Sequence, residues 1–280
     1  MNLVSGLELA VMLRNKTVLL NGDSIASQLG SAWYCDLAKA VGGAYSLDVA
    51  TTPEDIARRD TIRALAHQHG AGLRAYIESV ALDDALNTSV GGGGPFMITD
   101  LGDRVFRTWE ANGAIEMMEN LDVMILHFGL HYDNETLMRA EYERMMPALD
   151  AFAAQPGKAV LMLEIGVQHF PGSPHGEYEN RGHVAGWTSC CAPGELGSSE
   201  PWRLDRNRVI ADMLDKYKNV KLIPFHKLTA PRFAMHMEQR NFPPNGSHGD
   251  GCDCTHFCHS TLFWRAVMGG VRDALEQSWL

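Results

Sequence analysis

The sequence predicts an α/β fold in which a mostly parallel central sheet carries helices on both faces, a three-layer sandwich. Short apolar runs that are typical of buried parallel strands recur at residues 17–21, 121–126 and 158–164. Amphipathic stretches long enough to form helices separate these runs. Strands that alternate with helices of this length are characteristic of a parallel sheet covered on both sides.

Further elements are predicted from local spacing. Ile25, Leu29 and Trp33 recur with the period of a helix, and Pro53 followed by acidic residues is typical of a helix start. The full set of predicted helices covers residues 25–40, 53–68, 134–154, 205–217 and 262–280, and additional strands are predicted over 73–80 and 220–224.

Two stretches interrupt this alternation. Residues 87–95, which include the consecutive glycines 91–94, and residues 169–202, which are rich in Gly, Pro, Ser and His, show no periodic pattern. Loops of this length inside a domain are usually functional. The 280 residues contain no internal repeat and no obvious linker, so we expect one domain that spans residues 1–280.

The charge balance narrows the class of partner. A net charge of −10 repels phosphate backbones and anionic lipids, which disfavours nucleic acid and anionic membranes. A neutral small-molecule or glycan substrate is compatible with this charge. No apolar run approaches the ~20 residues that a transmembrane segment needs. Residues 1–13 are amphipathic and lack the pattern of a signal peptide, so a secretory protein would carry its signal upstream of this chain.

A serine stands where a predicted buried strand meets a predicted helix. Gly22, Asp23 and Ser24 follow the strand run directly. Ligands of open α/β sheets bind beyond the carboxyl ends of the strands, and backbone N–H groups at a helix start can stabilise an oxyanion. Ser24 is therefore a candidate nucleophile. The structural alternative is that Asp23 or Ser24 only caps the helix.

A candidate base lies near the end of the chain. Asp253 precedes His256 by three residues, a spacing that lets the carboxylate reach the imidazole Nδ1 within a tight turn. The carboxylate then fixes the tautomer and stabilises the imidazolium, while Nε2 faces the serine. The chain order of Ser24, Asp253 and His256 is compatible with such a triad.

The two motifs together resemble the paired signature of the PC-esterase family. That family includes the plant trichome-birefringence-like polysaccharide O-acetyltransferases and lies within the SGNH (GDSL) hydrolase superfamily. The matching motifs are Gly22-Asp-Ser24 and Asp253-Cys-Thr-His-Phe-Cys258, and the resemblance extends from about residue 16 to residue 264. It implies an SGNH-hydrolase, flavodoxin-like fold and acyl-ester chemistry, often acetyl transfer to or from carbohydrate, with no cofactor. It also implies that Ser24, Asp253 and His256 are catalytic.

Intermediate segments also look similar to that superfamily. Residues 128–132, which contain Gly129 and His131, resemble the block that holds an oxyanion-hole residue, and residues 164–171 resemble the segment after the next strand. His127 stands where the superfamily usually has Asn, and an imidazole N–H can also donate to an oxyanion. His131 and His169 each follow a strand end and are candidate substrate contacts. The second-block glycine has no secure match, and glycines 91–94 are its candidates.

Five of the six cysteines fall into two clusters. They are Cys190, Cys191, Cys252, Cys254 and Cys258, and the sixth is Cys35. Cys254 and Cys258 flank His256, so a disulfide from each to a distant cysteine would pin this segment; Cys190, Cys191 and Cys35 are the plausible partners, and the sequence leaves the pairing open. Free thiols and a zinc site built on this Cys- and His-rich cluster are the alternatives.

Two questions of function stay open in the sequence. The resemblance does not separate an esterase from an acyltransferase, and a non-catalytic carbohydrate-binding relative of the same fold is an alternative, as is the zinc protein. The sequence also contains four Asn-x-Ser/Thr sequons, at Asn15, Asn87, Asn134 and Asn245, against roughly one expected by chance. This excess favours the lumen of the secretory pathway (Golgi) or the extracellular space, and the cytoplasm is the alternative.

Overall fold

A computed structural model describes residues 2–14, 16–40, 76–79, 96–101, 118–130, 132, 134–170, 191–192, 201–237 and 253–280. Its strands form one six-stranded sheet. In chain order the strands are β1 Thr17–Gly22, β2 Tyr76–Ser79, β3 Phe96–Leu101, β4 Val123–His127, β5 Ala159–Leu163 and β6 Lys221–Ile223. The helices are α1 Gly6–Met12, α2 Ser24–Ala40, α3 Glu135–Ala153, α4 Pro201–Lys216, α5 His226–Thr229 and α6 Thr261–Trp279, with a 3₁₀ turn at Phe233–Met235.

The sheet is mostly parallel, as predicted. Its strand order is β2-β3-β1-β4-β5-β6, and every neighbouring pair is parallel except the antiparallel edge pair β2 and β3. All residues of β1, β4 and β5 are buried. This burial explains why their sequences are continuous apolar runs, because a strand covered on both faces has no polar side to show.

Helices pack on both faces of the sheet. Met162 of β5 faces α3, where its sulfur lies 3.8 Å from the Tyr142 hydroxyl. The next residue, Leu163, is in register with Ile223 of β6, and Ile223 packs against α6 at Gly270. Because successive side chains of a strand point to opposite faces, α3 and α6 lie on opposite sides. The architecture is α/β and compatible with a three-layer sandwich.

The strand order changes direction between β1 and β4. The chain leaves β1 through α2 towards β3, and it leaves β4 through α3 towards β5 on the other side. The carboxyl ends of β1 and β4 therefore lie side by side at a topological switch point. Open α/β sheets bind their ligands in the crevice at such a point.

The structure differs from the predicted elements in several places. Strand β3 and the short helices α1 and α5 have no counterpart among the predictions. Helix α4 begins at Pro201, inside the predicted loop 169–202, because proline is well suited to the first turn of a helix. The predicted helix 53–68 and the glycines 91–94 lie outside the described residues. Among the helices that the structure describes, none combines the length and the apolar character needed to cross a bilayer.

Gly22 brings the ends of β1 and β4 unusually close. Its φ is +148°, and a Cβ at this position would lie 1.7 Å from the His127 carbonyl oxygen. The neighbouring Asp23 N–H donates to that same carbonyl at 2.9 Å. Only glycine satisfies both the positive φ and the backbone contact, so the first residue of the Gly-Asp-Ser motif is required by packing at the switch point.

We predict that Gly22→Ala lowers the free energy of unfolding by about 2–4 kcal/mol, because the new methyl group forces β1 away from β4. Gly157→Ala is the matched control. Gly157 also has a positive φ, of +75°, but its Cβ would meet only the flexible Lys16 side chain at 3.3 Å, so about 1 kcal/mol is expected from backbone strain. Urea denaturation of both variants measures the difference. Equal losses would show that the approach of the two strands is not the constraint.

Candidate active site

Ser24 is the first residue of α2 and directly follows the close approach of β1 to β4. The side chain of Asp23 caps the helix, since its Oδ1 accepts from the Ile25 N–H at 3.0 Å. The sequence allows either Asp23 or Ser24 to cap the helix, and in the structure Asp23 does so. The Ser24 hydroxyl can therefore bond to another partner. Ser24 is half-buried, and its own N–H belongs to the first turn, where helices have no internal acceptor.

The three residues predicted as a triad meet at this point. Ser24 Oγ lies 2.5 Å from His256 Nε2. On the other side of the ring, His256 Nδ1 lies 2.7 Å from Asp253 Oδ2. The order hydroxyl, imidazole, carboxylate is the arrangement in which the imidazole can accept the hydroxyl proton and the carboxylate can stabilise the resulting cation.

The backbone orients the Asp253 carboxylate. Its Oδ1 accepts from the N–H groups of Thr255 at 3.2 Å and His256 at 3.0 Å, which leaves Oδ2 for the imidazole. Burial acts to raise the pKa of Asp253, but the hydrogen bonds from the side chain and backbone of His256 outweigh it, and the pKa lies below its ordinary value of 3.8. Asp253 is therefore ionised at neutral pH and holds the Nδ1 proton of His256.

The pKa of His256 is raised above 6.5. The largest cause is the hydrogen bond to Asp253; burial opposes the shift, and the charges of Asp253 and then Asp23 add to it. An imidazole with two carboxylates nearby is a stronger base than free histidine. This suits the removal of a proton from a serine hydroxyl.

His127 is paired with Asp23 beneath the site. Its Nδ1 lies 2.7 Å from Asp23 Oδ1, and both side chains are almost completely buried. The ring also contacts Phe225 edge-on, with the centroids 6.3 Å apart. His127 Nε2 is buried, with no hydrogen-bond partner among the described residues. The structure thus gives His127 a partner that the sequence did not suggest, while its donation to an oxyanion stays a prediction.

The other residues predicted to contact the oxyanion or the substrate are Gly129, His131 and His169. Gly129 has a φ of +150°, which favours glycine, and a Cβ there would also meet the flexible end of the Ile165 side chain, 2.3 Å from its Cδ1. The ring of His169 is buried and hydrogen-bonded within the protein, to His236 at 2.6 Å and to the Ala230 carbonyl at 3.0 Å. The structure thus gives His169 partners within the protein, while its contact with substrate stays a prediction. His131 lies outside the described residues.

Gln28 connects the two halves of the triad. It lies one helical turn after Ser24 and forms two hydrogen bonds with the backbone of Phe257. Its side chain accepts from the Phe257 N–H at 3.1 Å and donates to the Phe257 carbonyl at 2.9 Å. Phe257 directly follows His256. The same face of α2 therefore carries the nucleophile and a side chain that holds the segment of the base. We call the two bonds between Gln28 and Phe257 the clamp. Gln28 is not among the predicted site residues, although its i+4 spacing from Ser24 places it on the same face of the helix.

The segment after β5 supports the triad from another side. The amide of Gln168 donates to Thr255 Oγ1 at 2.8 Å, and the His169 N–H donates to the Cys254 carbonyl at 3.0 Å. A disulfide joins Cys254 to Cys191. We call residues 253–258 the triad loop; it is held by α2, by the segment after β5 and by a covalent bond.

The cysteine predictions are confirmed only in part. Cys254 is bridged to Cys191, one of the partners considered, but Cys258 is an exposed free thiol and Cys35 is also free. Backbone pairing holds Cys258 instead, because its N–H donates to the Met235 carbonyl at 2.7 Å. Cys254, one member of this Cys- and His-rich cluster, is oxidised, and within the described ranges no three His, Cys, Asp or Glu side chains are grouped to hold a metal. His248 and Cys252 of the cluster lie outside those ranges.

Neither a scan against protein-family models nor a search of curated proteins finds a match for this chain. The sequence motifs and the geometry of the triad are therefore the indications of its function.

We predict that Gln28→Ala lowers kcat/KM for ester turnover about tenfold and the free energy of unfolding by about 1–3 kcal/mol. The variant leaves the buried N–H and carbonyl of Phe257 without their partner and frees the triad loop. Steady-state kinetics and urea denaturation measure the two effects. Ser31→Ala, at an exposed position of the same helix, is the control and should change neither. Full activity in Gln28→Ala would contradict the clamp.

Proposed function

We propose that this chain is an SGNH-type serine enzyme. It either hydrolyses acyl esters or acts as an O-acyltransferase, which is an O-acetyltransferase when the acyl group is acetyl. Ser24 is the nucleophile, His256 the general base and acid, and Asp253 the residue that orients His256. The observation that carries the proposal is the 2.5 Å distance between Ser24 Oγ and His256 Nε2. The resemblance to the PC-esterase family supports it, and the finer fold assignment, an SGNH-hydrolase or flavodoxin-like three-layer sandwich, belongs to the same proposal.

The reaction has two displacements. His256 Nε2 takes the proton of Ser24 as Oγ attacks the acyl carbonyl, and the carbonyl oxygen becomes an oxyanion. The tetrahedral intermediate then collapses: the bond to the leaving alkoxide breaks, and the His256 imidazolium returns the proton to it as an alcohol. An acyl-serine remains. Water, or the hydroxyl of an acceptor, gives its proton to His256 and attacks this acyl-serine, which regenerates Ser24. The triad needs no cofactor for these steps.

The start of α2 supplies the first stabilisation of the oxyanion. The backbone N–H of Ser24 and the positive end of the helix dipole lie beside the attacking oxygen. His127 and Gly129, at the adjacent end of β4, are the predicted sources of a second donor. The fully buried Asp23 beneath Ser24 contributes by raising the pKa of His256 through its charge.

We further propose a carbohydrate, or a related hydroxylated compound, as the carrier of the ester or its acceptor. This follows from the family resemblance and agrees with the net charge of −10, which disfavours polyanionic substrates. The secretory lumen, such as the Golgi, or the extracellular space is the proposed compartment. The Cys191–Cys254 disulfide supports an oxidising environment, and Asn134 of one sequon is exposed at the start of α3.

We predict that Ser24→Ala lowers kcat/KM for 4-nitrophenyl acetate by at least about 10³-fold, because no acyl-serine can form. Mass spectrometry of the native protein during turnover should show an acyl adduct on the peptide that contains Ser24. Ser27→Ala, one turn along the same helix, is the matched control and should keep its activity. Unchanged turnover in Ser24→Ala together with retained glycan binding would instead indicate a non-catalytic carbohydrate-binding protein.

The same assay separates hydrolase from transferase. With an oligosaccharide acceptor present, a transferase gives an acylated oligosaccharide, whereas a hydrolase gives acetate at an unchanged rate. Chromatography of the products distinguishes them.

We predict that kcat/KM rises with pH through a midpoint above the ordinary imidazole value of about 6.5. The pKa of His256 is raised, so the base stays protonated, and therefore inactive, to a higher pH. Asp23→Asn keeps an oxygen for the Ile25 N–H but removes a charge that favours the imidazolium, so the midpoint should move to lower pH. Asp212→Asn, on the surface of α4, is the control. An unmoved midpoint in Asp23→Asn would contradict the electrostatic role of Asp23.

A further inference from the structure

Two buried imidazoles outside the triad lie directly behind the triad loop. His169 follows β5 and His236 follows the 3₁₀ turn, and their exposed fractions are 0% and 2%. Neither ring takes part in the reaction proposed above. The two rings lie 4.9 Å apart between centroids, so they form a pair, which we call the histidine pair.

Three hydrogen bonds in a row pass through this pair. His169 Nε2 lies 3.0 Å from the Ala230 carbonyl oxygen. His169 Nδ1 lies 2.6 Å from His236 Nε2. His236 Nδ1 lies 3.0 Å from the carbonyl oxygen of His256. The row therefore ends on the backbone of the catalytic base.

The two ends of the row fix the number of protons. A carbonyl oxygen only accepts, so His169 Nε2 and His236 Nδ1 must both carry a proton. The two remaining nitrogens face each other at 2.6 Å, where two lone pairs would repel, so a third proton must lie between them. Two neutral imidazoles carry two protons in total. Three protons on two rings make the pair a monocation.

We propose that His169 and His236 share one additional proton and that, through it, they position the backbone of His256. His236 is a positioning residue in this proposal, which rests on the proposed function. If the pair loses its extra proton, one of the three hydrogen bonds is lost. A neutral pair keeps the bond between its rings only if it gives up the bond at Ala230 or the bond at the His256 carbonyl, so in the second of these tautomers it no longer supports the triad loop. The Met237 N–H also donates to the His256 carbonyl, at 2.9 Å, and this bond does not change with the charge of the pair.

The surroundings are compatible with a buried cation. All four ring nitrogens have a hydrogen-bonding partner, which a buried charge requires. His236 also stacks on Phe257, with centroids 4.4 Å apart and an interplanar angle of 31°. Three described segments contact the pair, and each carries titratable or charged residues. These are Glu164 in the segment after β5, His226, Lys227 and Arg232 around Ala230, and Asp253, His256, Cys258 and His259 in or beside the triad loop.

A proton count of the wild-type protein tests the first half of the proposal. In ¹⁵N-labelled protein at pH 7, long-range ¹H–¹⁵N spectra of the imidazoles should show protonated Nε2 of His169 and Nδ1 of His236, joined by a far-downfield proton between the rings. Assignments come from His169→Gln and His236→Asn. Two neutral rings with only two N–H protons at pH 7 would overturn the proposal.

The pH profile of ester turnover tests the second half. Activity should rise with pH as His256 becomes neutral and fall again at alkaline pH as the pair loses its shared proton. In His236→Asn the amide nitrogen stands in for Nδ1 and can donate to the His256 carbonyl without titrating, so the alkaline fall should vanish. His236→Phe keeps a ring over Phe257 but has no donor, and kcat/KM should drop about tenfold at every pH, the size of one hydrogen bond.

Controls keep the outcomes separate. His259→Asn replaces an exposed histidine close to the triad loop and should retain the alkaline fall. The same alkaline fall in wild type and His236→Asn would overturn the positioning role. If wild type turns over no more ester than Ser24→Ala, the proposed function has failed; the proton count still decides the pair, because it needs no activity. Should His236→Phe not fold, the count and the His236→Asn profile remain decisive.

Discussion

The hydrogen bond between Ser24 Oγ and His256 Nε2 joins two residues 232 positions apart in the chain, and most of the surrounding structure keeps their two segments in contact. Ser24 is fixed by the sheet, because Gly22 lets β1 approach the His127 carbonyl and Asp23 then caps α2. His256 lies on a loop without regular secondary structure. The position of the nucleophile thus comes from the core, whereas the position of the base depends on specific contacts.

Those contacts are numerous because an irregular loop is costly to order. Fixing the backbone of one residue costs about 1–2 kcal/mol, and one hydrogen bond returns only about 1 kcal/mol. The triad loop accordingly receives bonds to nearly every residue: from Gln168 to Thr255, from Gln28 to Phe257, and a disulfide at Cys254. The disulfide restricts the unfolded chain as well, which lowers the cost of ordering the loop.

The sequence predicts what depends on periodicity and on short motifs. The strands β1, β4 and β5 and the long helices α2, α3 and α6 are confirmed, because burial on known faces imposes an apolar pattern. The motif Gly22-Asp-Ser24 and the pair of Asp253 and His256 identify the triad side chains. Strand β3 is not predicted, since pairing with β1 decides it rather than local preference. Gln28 and His236 are not predicted either, because their partners are backbone atoms that only the tertiary fold brings near.

The charges around His256 explain why such a loop would include a protonated histidine pair. Asp253 and Asp23 both raise the pKa of His256, and each therefore favours the protonated form, which cannot act as a base. A monocation shared by His169 and His236, 3.0 Å from the His256 carbonyl, opposes this shift because like charges disfavour the imidazolium. With one positive charge against two negative ones, the site retains enough negative charge to stabilise the imidazolium that forms during the reaction. The same proton that holds the loop in place thus adjusts the basicity of the residue that the loop carries.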